Sequence, residues 1–186
     1  MRRLVVPATA AALAVAAVAL LVYGLTKQGA SRALDAAVQA GQTPPAPQAS
    51  QPLAVLDGVG GGQSSLERWR GKVVVVNFWA SWCSTCTAEA ALIERAQRTL
   101  AAHDAGTVVG IDYKDISSDA MVYVAQHGLT YPNLRDKDGS FADAYGTIAL
   151  PETFVLDRRQ RVVALARGEI TSESWLTAAI AKAERA

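Results

Sequence analysis

Cysteine and histidine are scarce in this chain, with only two of each among 186 residues. A structural zinc site takes four ligands and a catalytic one three plus water. His103 and His127 stand far apart without metal-ligand spacing, so the composition argues against a metal centre. No cysteine lies near residue 25, which excludes a lipoprotein-type lipid anchor. Charge of one sign is also lacking in excess: 18 basic against 17 acidic side chains leave a net +1. With no basic patch, nucleic acid is not an expected partner. No internal repeat is present.

Charge is missing in a second sense at the start. After Met1-Arg2-Arg3, no charged side chain occurs in residues 4–26. As a helix, residues 4–25 would reach roughly 33 Å, enough to cross a bilayer core of ~30 Å. Arg2 and Arg3 argue for a cytoplasmic start and an extracytoplasmic remainder, a bias that Lys27 and Arg32 weaken without reversing. The alternative is a cleaved signal peptide, although the apolar stretch exceeds the usual signal core of ~7–15 residues. Residues 27–52 are rich in Pro, Ala and Gln (Pro44, Pro45, Pro47, Pro52) and read as a semi-rigid spacer. The division expected is therefore 1–26 signal anchor, 27–52 linker and 53–186 one globular domain. The first two together carry net +3, and the domain net −2.

What the chain does have is Trp82-Cys83-Ser84-Thr85-Cys86, which holds both cysteines. It follows the apolar run 73–79 and precedes a stretch with helical periodicity, Leu92, Ala96 and Leu100 on one face. A Cys-x-x-Cys pair at a strand–helix junction sets the first sulfur beside unpaired N–H groups and the positive end of the helix dipole. Both favour thiolate, the attacking species in disulfide exchange. Cys83 is then the nucleophile, and Cys86, one turn further in and more buried, the resolving thiol. A structural staple is the alternative, though closing so small a loop constrains little of the unfolded chain.

The remaining pattern reads as an α/β domain. Residues 53–56 form an edge strand ended by Asp57-Gly58 and Gly60-Gly61-Gly62, and Ser64 to Glu67 suit a capped turn. Residues 73–79 are a central strand covered on both faces, and 107–112 a second buried strand. Helices are expected near 85–103, from Ser117 to His127, at 141–145, and from Ser172 or Ser174 to the end. Residues 152–156 and 162–166 flank a polar turn as a hairpin. The result is a mixed sheet flanked by helices, with one right-handed crossover between the first two core strands. The dithiol lies at the carboxyl end of a core strand, where open α/β sheets place their sites.

These residues resemble the thioredoxin superfamily. More narrowly, they are similar to the membrane-tethered thiol–disulfide oxidoreductases of cytochrome c maturation, the ResA, CcmG (DsbE) and TlpA group. The matching segments are Asn77 to Cys86, Gly110-Ile111-Asp112-Tyr113-Lys114-Asp115, Tyr131-Pro132, Asp136 to Gly139, Tyr145-Gly146 and Pro151-Glu152-Thr153-Phe154. The resemblance implies a thioredoxin-like fold behind one transmembrane helix. It implies a redox-active Cys83–Cys86 disulfide in place of any cofactor or metal. It makes Pro151 the cis-proline facing the dithiol, against a plain trans turn. Glu89 becomes the buried acid three residues after the second cysteine, against an ordinary surface glutamate. Glu152 becomes a second acid near the site, against a solvated one. Trp82 is placed at the site, Trp79 in the core, and the two histidines at helix ends.

By the same resemblance the substrate is apocytochrome c at its Cys-x-x-Cys-His site, or another secreted disulfide protein. The electron donor is an integral membrane thiol relay, and the location the plasma membrane with the domain on its extracytoplasmic side. Two departures stand out: Ser84-Thr85 lacks a proline between the cysteines, and Ala91 replaces a helix-kinking proline. An oxidase or isomerase, a peroxidase-like thiol enzyme and a non-enzymatic tethered binding module stay open as rivals.

Overall fold

A computed structural model describes residues 2–57 and 62–186, with the side chains of 9–20, 33–57 and 62–186. Gly58, Gly60 and Gly61 of the glycine-rich turn lie outside the described residues. In chain order the elements are α1 (Arg2–Gln39), β1 (Leu53–Val55), β2 (Gln63–Ser64), a 3-10 turn (Leu66–Trp69), β3 (Val73–Trp79), α2 (Ser84–Ala102), β4 (Gly106–Tyr113) and α3 (Ser117–Gln126). There follow β5 (Asn133–Asp136), α4 (Ser140–Ala144), β6 (Glu152–Leu156), β7 (Val162–Arg167) and α5 (Glu173–Arg185).

The strands form one sheet in the order β2-β1-β5-β4-β3-β6-β7. β3, β4 and β5 are mutually parallel, while β1, β6 and β7 run antiparallel to their neighbours. All seven residues of β3 are buried because it has a paired strand on each side and a layer on each face. Successive side chains point to opposite faces, so Val73, Val75 and Trp79 join one core with Leu92, Ile93 and Leu100 of α2 and Leu176 of α5. Val74, Val76 and Phe78 join the other, with Leu66, Phe141, Tyr145 and Phe154. α2 runs unbroken through Ala91 from Ser84 to Ala102.

Three features depart from the sequence reading. β5 was not expected: it is four residues long, and Asn133, Arg135 and Asp136 make it look like loop. It is a strand because β4 and β1 pair with it on either side and because Asp112 neutralises Arg135 at 2.9 Å. A second crossover, β4–α3–β5, therefore accompanies the β3–α2–β4 one. Secondly, Ser65 precedes the 3-10 turn without a side-chain cap.

Thirdly, much of the stretch read as a spacer is docked on the domain. α1 continues to Gln39, and Leu34 and Ala46 are buried in the second core, with Val38 and Ala49 packed against it. Pro45 forms a bridge to Arg161, and Asp35 pairs with Arg167 at 2.8 Å. Its prolines sit among apolar residues that the sheet's second face can bury. Among the described residues, no helix is long and apolar enough to cross a membrane. The anchor expected at 1–26 falls partly on residues 1–8 and 21–26, whose side chains lie outside the described residues.

Candidate active site

β3 ends at Trp79, and the chain turns through Ala80-Ser81-Trp82, closed by a bond from the Cys83 amide to the Ala80 carbonyl at 3.1 Å. Cys83 caps α2, its sulfur accepting from the Cys86 amide at 3.1 Å. The two sulfurs form a disulfide with their Cα atoms 5.3 Å apart. Cys83 is 6% exposed and Cys86 2%. After reduction, the Cys83 sulfur lies at the helix terminus, where the dipole favours the thiolate by ~0.3–1 kcal/mol, and by up to ~2 when partly buried. Thr85 bridges the two halves of the site: its hydroxyl lies 3.5 Å from the Cys83 sulfur and donates to the Leu150 carbonyl at 3.4 Å. The Leu150–Pro151 peptide is cis. Trp82 stands beside the pair, 61% exposed, whereas Trp79 is buried and stacked on Tyr123 at 4.6 Å.

Glu89 is buried one turn beyond Cys86, on the same face of α2. Its two oxygens accept from the Asn77 side-chain amide at 2.7 Å and from the Ile170 backbone amide at 2.8 Å. Asn77 also donates to Thr153, two residues after Pro151, at 3.1 Å. Burial pushes the Glu89 carboxyl up to about 7, more than those two hydrogen bonds lower it, and Glu169 adds a little repulsion. At neutral pH this group can both take and return a proton.

Glu152 is buried and not a solvated surface acid. It is 1% exposed, accepts from the Ile148 amide at 3.2 Å and pairs with Arg167. Arg167 also binds Asp35 and the carbonyls of Tyr145 and Gly146. A buried carboxylate stripped of its cation is costly. Arg167→Met is therefore expected to lower unfolding free energy by about 3–5 kcal/mol in urea titration. An unchanged midpoint would show that Glu152 does not depend on the ion pair.

His103 ends α2 against the Thr99 carbonyl, and His127 ends α3 against the Tyr123 ring. Among the described residues, no cluster of three metal-ligating side chains occurs. Asn77, Arg167 and Asp35 were missed from sequence. Asn77 carried a signal, as the polar residue in an otherwise apolar strand. Asp35 carried none, because its partner lies 132 positions away.

A protein-family model described as Redoxin matches residues 39–182. The thiol:disulfide interchange protein DsbE of Haemophilus influenzae is 33% identical over 107 residues, covering 57% of this chain and 56% of DsbE. The chain thus spans little more than half of that relative's length. The thioredoxin-like protein YneN of Bacillus subtilis is 31% identical over 121 residues, covering 63% of this chain and 69% of YneN. The crystal structure of a secreted thiol-disulfide isomerase from Corynebacterium glutamicum matches with a TM-score of 0.66 at 29% identity, covering 77% of this chain and 86% of that one.

Proposed function

The chain belongs to the Redoxin family, and from this premise and the geometry of its cysteine pair we propose a membrane-tethered, thioredoxin-like thiol–disulfide oxidoreductase that reduces disulfides outside the cytoplasm. The observation that carries the reading is the Cys83–Cys86 disulfide at the start of α2 with Glu89 buried one turn further on.

The Cys83 thiolate attacks a substrate disulfide, forming a mixed disulfide and releasing one substrate thiolate. Glu89 takes the proton of Cys86, which attacks the Cys83 sulfur and expels the second substrate thiolate. Two electrons pass to the substrate, and Cys83–Cys86 is left oxidised. The pair itself is the redox group, without an organic cofactor. Pro151 and Trp82 flank the sulfurs and hold the incoming chain. Glu152 anchors the start of β6 beside Pro151 through Arg167.

The substrate is the Cys-x-x-Cys-His site of apocytochrome c, whose thiols must be free for haem attachment, or another secreted disulfide protein. An integral membrane dithiol relay restores the reduced state, since the extracytoplasmic space has no cytosolic thiol pool. The domain is tethered by α1 as a single-pass anchor in the plasma membrane. Leu13, Val15, Val18 and Leu20, all exposed on α1, support an apolar surrounding for that helix.

A second reading, isomerisation, is supported by the likeness to the Corynebacterium glutamicum isomerase, and oxidation is the reading of opposite direction. The reduction potential separates them, measured on the full chain in detergent by thiol-buffer titration with alkylation. A potential near or below about −270 mV is expected for the reductase. One near about −120 mV would sink that reading and make the protein an oxidant.

A further inference from the structure

The connection between β4 and α3 is built around Asp115, a half-buried residue whose carboxylate reaches back to the cysteine turn. It accepts from the Ser81 amide at 2.5 Å, from the Ser81 hydroxyl at 2.9 Å and from the Ile116 amide at 2.7 Å. Ser81 is two residues before Cys83, at most about two Cα steps of ~3.8 Å. The aim of this carboxylate is held from behind. Arg135 donates to the Asp115 carbonyl at 2.6 Å while its Nε binds the buried Asp112 at 2.9 Å.

Just before Asp115, Lys114 adopts φ +46°, a left-handed conformation that an ordinary side chain rarely takes, pinned by its amide on the Asp136 carbonyl at 3.0 Å. Residues kept in such conformations persist where the surroundings over-determine them, often at working sites. The Lys114 side chain lies across Gly139, where a Cβ would come within 2.3 Å of its Cε. Its ammonium sits over the Tyr113 ring at 5.1 Å.

Resting on the thiol–disulfide exchange reading, we propose that Asp115 is a positioning residue that fixes the turn delivering Cys83 and biases the pair toward its disulfide, making it a stronger reductant. The hydrogen bonds hold Ser81, and with it the approach of Trp82 and Cys83. The negative charge opposes a thiolate at Cys83, against the helix dipole that favours one. The two contributions separate in substitution. Asp115→Asn removes the charge and keeps an oxygen for the Ser81 amide, while its NH2 meets the Ile116 N–H as a second donor; Asp115→Ala removes the charge and every bond; Ser81→Ala keeps the charge and loses one bond.

The test is the pH dependence of alkylation of the reduced full chain by iodoacetamide, with thermal unfolding in parallel. Asp115→Asn and Asp115→Ala are each expected to lower the Cys83 thiol pKa by roughly half a unit to one unit. Ser81→Ala is expected to leave that pKa in place. At a pH above the thiol pKa, the equilibrium constant for reduction by dithiothreitol should rise about three- to tenfold in Asp115→Asn, since one pKa unit is a factor of ten. A residue that only held the fold would lower the melting temperature in Asp115→Ala and move neither quantity in Asp115→Asn. Superimposable profiles for Asp115→Asn and the unsubstituted chain overturn the proposal. Failure of the unsubstituted chain to cycle with dithiothreitol would instead overturn the exchange reading itself.

Discussion

Cys86→Ser is expected to stop turnover at the mixed disulfide, while Cys83→Ser abolishes reaction with substrate altogether. The difference follows from position. Cys83 lies at the start of α2, where the helix terminus supports a thiolate, and Cys86 sits one turn in and 2% exposed. Without Cys86, the first attack proceeds and nothing resolves it, so one equivalent of substrate stays bound through Cys83. Without Cys83, the remaining thiol is out of reach of a protein disulfide. Both variants should fall to the uncatalysed rate. Intact-mass analysis under non-reducing conditions distinguishes them: an adduct with Cys86→Ser and none with Cys83→Ser. An adduct on Cys86 alone would reverse the assigned roles. Retention of biological activity in both variants would favour a binding module over an enzyme.

The second large effect belongs to Glu89. Its carboxyl is raised from an ordinary 4.5 to about 7 by burial, so between these values the folded protein binds a proton that the unfolded chain has released. Stability therefore falls as pH rises through this window, and is fully retained only below about 4.5. A shift of this size corresponds to roughly 3 kcal/mol lost between pH 4.5 and 8. Asp112, raised to about 6 mainly by burial, adds a loss of the same sign at lower pH. Glu89→Gln should remove the Glu89 part and leave the Asp112 part. Its amide faces the Ile170 N–H as a second donor, which costs about 1–3 kcal/mol at every pH and leaves the slope unaffected. Denaturant titration of the oxidised protein at several pH values removes the cysteines from the balance, and the difference between the unsubstituted chain and Glu89→Gln isolates this carboxyl from Asp112 and Asp136, both also raised mainly by burial. The same variant should slow substrate release by roughly 10²-fold or more, as loss of general acid–base catalysis does. A wild-type slope surviving in Glu89→Gln would mean that another group carries the pH dependence.

The cysteine site was legible because it depends on short-range pattern. An unbroken apolar run, a two-residue gap between sulfurs and a helical periodicity after them place the pair at a strand–helix junction without knowledge of the rest of the fold. Burial of β3 on both faces was legible from the same run, whereas the structure supplied its division, with Val73, Val75 and Trp79 in one core and Val74, Val76 and Phe78 in the other. β5 escaped the same reasoning. Four mostly polar residues become a strand only when β4 and β1 present open edges on both sides.

The prolines and small residues before Leu53 have the composition of a spacer, but composition is silent on whether a surface stands ready to bury Leu34 and Ala46. What the sequence by itself determined is where the cysteine pair sits, at a strand–helix junction; Glu89 entered as a candidate acid one turn on only through the family resemblance. What only the tertiary structure decided is the environment that tunes it. Glu89 rises to about 7 because the completed fold buries it, by more than its hydrogen bonds from Asn77 and Ile170 lower it. Glu152 finds its cation on β7, and that cation is shared with Asp35 of α1. Spacing acts along the chain over a few residues, whereas desolvation and ion pairing act through space, between groups that only the completed fold brings together.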